Sequence, residues 1–231
     1  MIRLFVEENL KEGEIISLDE KKVHYLIHVM RCNVGDEVYL FNGKDGEFKS
    51  TILQETKKKF SLNIVEKTKE FLPVETCILC PAIIKKENMD FVLQKATELG
   101  VSEIFPVITD RTVVRNFNLE RAKSIVAEAA EQSERLDCPI VHEPCSLTEL
   151  FKLIPEQSTV FFLSERGETN YKKTTIKTPV FLVGPEGGFT PKEVQYIEKY
   201  QNTATLHLGT TILRAETASI AILACWKYHV F

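Results

Sequence analysis

Residues 180–200 read VFLVGPEGGFTPKEVQYIEKY: an apolar strand-like run, a glycine turn, then a helix-like run. Thr190 is placed to cap that helix, Pro191 suits its first position and Glu193 completes a capping box, so the turn before it is firmly held. A turn between a strand and a helix start commonly holds phosphate. This one lacks the Gly-Lys-Ser/Thr of a phosphate loop, and Gly184, Gly187 and Gly188 have the wrong spacing for a dinucleotide fingerprint. Glu186 would also repel a phosphate in a site meant to attract anions. The turn therefore suits a ligand with hydroxyls, an amine or a positive centre.

A second glycine turn opens LHLGTTILRAETASIAILACW at residues 206–226 and leads into a small-residue helix. Ala218, Ser219, Ala221 and Ala224 let other backbone approach closely there. Arg214 and Glu216 stand at the start of the helix, where a structural salt bridge is the plainer explanation. From Glu75 onward the chain alternates strand-like runs (77–84, 101–108, 139–143, 158–165, 179–184, 204–209) with helix-like ones (88–100, 119–136, 147–153, 190–200). In the first helix Met89, Val92, Leu93, Ala96 and Leu99 share one face. The alternation predicts an α/β fold, a mostly parallel sheet with helices on both faces and two ligand-binding loops at its carboxyl edge.

Up to about Lys69 the rhythm is different: short β segments with turns, among them the hairpin signal NGKDG at residues 42–46. One helix-like stretch, 19–31, interrupts them and opens at the plausible cap Asp19. This predicts a small β-barrel. The linker at 68–75 separates two expected domains, 1–70 and 74–231.

Composition narrows the function classes. With 231 residues, a formal charge of −4 and six cysteines, the chain reads as a globular protein without a general basic character, although one basic face stays open. No charged-then-apolar leader or membrane-length apolar run is present, which points to a reducing cytoplasm, no membrane and free thiols. Cys77 and Cys80 form a C-x-x-C without a second pair, and in a strand they face opposite sides. His24 and His28 share a helical face without a ligand at metal spacing beside them. No metal is expected.

At four separated motifs the chain resembles the RsmE-type 16S ribosomal RNA uracil-N3 methyltransferases of the SPOUT class. They are QKATELGVSEIFPV (94–107), EAAEQSER (128–135), LVGPEGGFTPKE (182–193) and LHLGTTILRAETA (206–218). RLFV and HVMRCNVGDEVYLFNG in the first domain are similar to that family too. The resemblance implies a PUA-like barrel followed by a methyltransferase domain with a carboxyl-terminal trefoil knot, a homodimer, and S-adenosylmethionine bound by the knot loops. Carried over by motif, the cofactor residues are Leu163, Ser164, Gly184, Pro185, Glu186, Gly187, Gly188, Leu208, Gly209, Ile212, Leu213, Thr217 and Ala218. Thr211 stands where the family usually has Arg, and Ala122 where a Trp often precedes EAAEQS.

The implied reaction places a methyl group on a uracil N3 that carries a proton, so the site needs a base or a cation to stabilise the developing charge. Arg214 is the expected cation, with Glu216 or Glu186 assisting proton removal or orienting the substrate. Expected RNA contacts are Lys85, Lys86, Arg111 and Arg115 at the sheet rim, extended by Arg3 and Arg31 in the first domain. The implied partner is 16S rRNA, by preference within the assembled small ribosomal subunit. Two alternatives remain open: ribose 2′-O methylation by another SPOUT enzyme, and an rRNA-binding assembly factor without catalysis.

Overall fold

Alternation of apolar and polar residues builds the first sheet in the computed structural model, which describes residues 1–56, 59–164, 169, 176, 178–200 and 202–230. Glu165, the end of a predicted strand, and Phe231, the end of the second predicted domain, lie outside the described residues. The chain divides into two units, Met1–Pro73 with Ala130–Cys138, and Val74–Ala129 with Pro139–Phe231.

In the first unit, β1 (Arg3–Phe5), β2 (Ile15–Ser17), β3 (Glu37–Phe41), β4 (Glu47–Gln54) and β5 (Phe60–Lys69) form one sheet in the order β1-β3-β4-β5-β2. Val38 and Leu40 of β3, Phe48 and Ile52 of β4, and Leu62 and Ile64 of β5 all point to one core, as a period of two requires. The pairing Leu40 with Phe48 and Ile52 with Leu62 fixes that register. The predicted hairpin at NGKDG forms: the Asn42 side-chain oxygen accepts from Asp45 N at 2.9 Å. Gly46 closes the turn at φ +100°, and a Cβ there would meet the Lys69 carbonyl oxygen.

The predicted helix at 19–31 forms in two parts, α1 (Glu20–Val23) and a π-helical segment (His24–Val29). Asp19 caps it by accepting from Lys22 N at 2.8 Å. The widened turn shows in Met30 N donating to Tyr25 O at 2.8 Å, and Arg31 ends the segment at φ +57°.

In the second unit, six parallel strands lie in the order β13 (Thr203–Leu206), β11 (Ser158–Leu163), β12 (Thr178–Val183), β6 (Ile78–Pro81), β7 (Glu103–Ile104) and β9 (Ile140–Val141). The run 101–108, predicted as one strand, splits at Pro106. Proline has no N–H for the ladder, so β7 ends there, and β8 (Val107–Ile108) pairs instead with β10 (Cys145–Ser146). Among the described residues, the helices after β5 are α2 (Lys86–Glu98), α3 (Leu119–Gln132), α4 (Leu147–Leu153), α5 (Pro191–Glu198) and α6 (Ala215–Lys227).

Both faces of the sheet are covered. Val160, Phe162, Val180 and Leu182 pack with Leu147 and Leu150 of α4 and Ile197 of α5. Phe161 and Phe181 point the other way, with ring centroids 5.4 Å apart, and Phe181 meets Trp226 of α6 at 5.9 Å. That double burial explains the unbroken apolar runs of the central strands.

Candidate active site

Because β13, β11 and β12 are adjacent and parallel, their carboxyl ends share one edge. The segments that follow them, Leu163–Ser164, Gly184–Gly188 and His207–Leu213, converge with the first turn of α6 on one cavity of about 740 Å³. That volume is typical of a small-molecule site. The cavity belongs wholly to the second unit. Its wall carries Leu163, Ser164, Gly184, Pro185, Glu186, Gly187, Gly188, Leu208, Gly209, Ile212, Leu213 and Ala218, together with Arg214 and Arg111.

The turn itself is built locally. Gly188 N donates to Pro185 O at 2.8 Å, and α5 begins with a complete capping box in which Thr190 Oγ1 accepts from Glu193 N and Glu193 Oε2 accepts from Thr190 N. Glu193 is buried, and its other oxygen accepts from Asp110 N at 2.8 Å, tying the segment after β8 to the turn. Arg111 adds a second tie, its Nη1 donating to Gly187 O at 2.7 Å.

Two predicted residues, Glu216 and Thr217, lie off the cavity wall. On a helix of 3.6 residues per turn Arg214, Ala215 and Ala218 share the cavity side, and the two residues between are rotated away. Glu216 Oε2 is nevertheless buried without a hydrogen-bond partner among the described residues, so that oxygen takes no salt bridge from Arg214.

The comparisons with known proteins agree with this geometry. A family model described as an RNA methyltransferase domain matches residues 71–227, and one described as an RNA methyltransferase PUA domain matches residues 18–65. The chain belongs to the RNA methyltransferase domain family. Its relatives include a protein named ribosomal RNA small subunit methyltransferase E from Rickettsia conorii, 35% identical over 96% of this chain and 93% of that protein. A protein of the same name from Bacillus subtilis is 29% identical over 99% and 97%. The Neisseria gonorrhoeae ribosomal RNA small subunit methyltransferase E, solved bound to S-adenosyl methionine, superposes with a TM-score of 0.89 at 31% identity over 99% of this chain and 98% of that one. The fold is thus that of the RNA methyltransferase family, a mixed α/β domain preceded by a PUA-type domain.

Of the charges expected to meet RNA, this family member buries one. Arg3 is 4% exposed, pairs through Nη2 with Glu47 Oε2 at 2.8 Å, lies over the Phe41 ring at 4.6 Å and donates to the carbonyl of Arg135 at 2.8 Å. Its guanidinium is committed to the first unit and is corrected from an RNA contact to a structural one. Arg31 is exposed in the first unit; Lys85, Lys86, Arg111 and Arg115 are exposed in the second. The Arg111 contact to Gly187 and the Glu193 contact to Asp110 are sequence-distant and carry no local signal. Among the described residues no group of three or more His, Cys, Asp or Glu side chains is arranged to hold a metal ion, and no helix is long and apolar enough to cross a membrane.

Proposed function

We propose that the cavity binds S-adenosylmethionine and that the protein transfers its methyl group to N3 of a uracil in 16S ribosomal RNA. One observation carries the reading. Three strand-end loops converge on a cavity whose charged wall residues, among the described ones, are Glu186, Arg111 and Arg214, and none of the loops has the sequence of a phosphate loop. Glu186 suits a positive centre on the ligand, backbone groups of the loops can bond its polar atoms, and Leu163, Ile212 and Leu213 offer apolar surface to a heterocycle. Bound S-adenosylmethionine supplies an activated methyl group on a positively charged sulfur.

The chain's own task is alignment and charge. Arg214 stands exposed at the start of α6, where its guanidinium stabilises negative charge developing on a uracil carbonyl oxygen as the N3 proton leaves. Glu186, on the wall, takes that proton or orients the N3–H, and Glu216, rotated off the wall, is left out of the step. A carboxylate alone is a weak base for this proton, so Arg214 carries the larger share. Arg214→Ala is expected to lower methyl transfer by about 10²-fold or more while S-adenosylmethionine affinity, read by calorimetry, stays within about twofold. Wild-type turnover in that variant would remove Arg214 from the chemistry.

The first unit, in this proposal, is the PUA-like RNA-binding domain, and the second is the SPOUT methyltransferase domain with its last segment threaded as a trefoil knot. Arg31, Lys85, Lys86 and Arg115 contact RNA phosphates. The half-exposed small residues Ala218, Ala221 and Ala224 of α6 meet a second copy of the chain in a homodimer. The substrate is the assembled small ribosomal subunit in the cytoplasm, a compartment that suits reduced cysteines.

A further inference from the structure

We infer that Arg111 is a positioning residue for the cofactor turn, holding Pro185–Gly188 in the shape that completes the cavity wall, and is not a contact to RNA phosphate. The inference rests on the reading that the cavity takes S-adenosylmethionine. Arg111 is exposed, as a phosphate contact would be, yet its Nη1 is bonded to Gly187 O at 2.7 Å, the length of a charge-assisted bond.

Its methylenes lie along the same glycine. A Cβ built on Gly187 would lie 3.4 Å from Arg111 Cδ and 3.5 Å from Arg111 Cβ, ordinary van der Waals distances, so the arm packs along the turn. The backbone that carries Arg111 is fixed to the same place. Asp110 N donates to the buried Glu193 carboxylate at 2.8 Å, and Thr109 and buried Thr112 close a small ring, with Thr109 N donating to Thr112 Oγ1 at 2.9 Å and Thr112 N to Thr109 O at 3.1 Å. Base and tip of Arg111 are therefore both attached to residues 187–193. A rigid guanidinium held this way loses little freedom on making its bond, which a flexible lysine would not reproduce.

Two variants test the assignment: Arg111→Ala and Arg111→Lys. Calorimetric titration with S-adenosylmethionine is read beside the salt dependence of binding to naked 16S rRNA, and urea midpoints confirm that each variant folds. Arg111→Ala should weaken S-adenosylmethionine about five- to tenfold, the loss of one charge-assisted bond, with the salt slope unchanged. Arg111→Lys keeps the charge and should still bind the cofactor more weakly. Undiminished cofactor affinity in Arg111→Ala, or a salt slope lower by about one, would overturn the inference. Wild-type protein that binds no S-adenosylmethionine would instead sink the functional reading, and the inference with it.

Discussion

Arg3 and Arg214 each lie at the start of an element, and their surroundings give them opposite roles. Arg214 is exposed at a cavity, whereas Arg3 is enclosed by Glu47, the Phe41 ring and the carbonyls at the end of α3. Arg214 was legible because it follows a glycine turn in a recognisable motif. Arg3 was not, because its hydrogen-bond partners lie 44 to 132 residues away in the chain. Burial opposes the charge on Glu47, but hydrogen bonds from Lys69, Arg3 and Thr68 outweigh it and hold the carboxyl below its ordinary value of 4.5. A depressed carboxyl stabilises the fold above its unfolded pKa, and that contribution is lost as pH falls through the folded one. Glu47→Gln, which leaves the Arg3 charge buried and unpaired, should lose roughly 3–5 kcal/mol at neutral pH by urea unfolding. The gap to wild type should narrow as pH drops below 4.5; a gap constant down to acid pH would mean that the pair contributes nothing through its charge.

At the scale of elements, α5 and the turn before it were readable because capping is local chemistry: Thr190, Pro191 and Glu193 stand in sequence as they stand in space. The central strands were readable because apolar runs of this length have few alternatives inside a covered sheet. The two-residue β10 was not, since two residues establish no period, and the π-helical segment keeps the apolar pattern of an ordinary helix. The second duty of Glu193, its bond to Asp110, was equally hidden. It separates two otherwise similar substitutions. Thr190→Ala removes a cap and should cost about 1 kcal/mol. Glu193→Ala also strands the Asp110 amide, a further cost of about 1–3 kcal/mol, and frees the segment that carries Arg111. Thermal unfolding and cofactor titration together should therefore rank Glu193→Ala below Thr190→Ala on both counts, and equal cofactor affinities would argue that the tie to Asp110 does not shape the cavity.

For the whole molecule, the order of strands in the second unit gathers residues from three distant loops at one edge, and the motif resemblance had already named most of them. The sequence left one feature of organisation unseen. Ala130–Cys138, which contains most of the motif EAAEQSER, joins the first unit, where Glu131 Oε1 accepts from Phe5 N at 2.9 Å and Leu136 O from Gly43 N at 2.9 Å. No periodicity or composition marks such a return, because it depends on where the chain has travelled in between. The central claim remains chemical: this fold brings a cationic methyl donor and a uracil together beside Arg214. It is tested most directly by incubating the protein with S-adenosylmethionine labelled in its methyl group and small ribosomal subunits that lack the modification, then digesting the 16S rRNA to nucleosides. The label should appear in N3-methyluridine and be lost in Arg214→Ala; label on a ribose 2′ oxygen, or none in the wild type, would contradict the account.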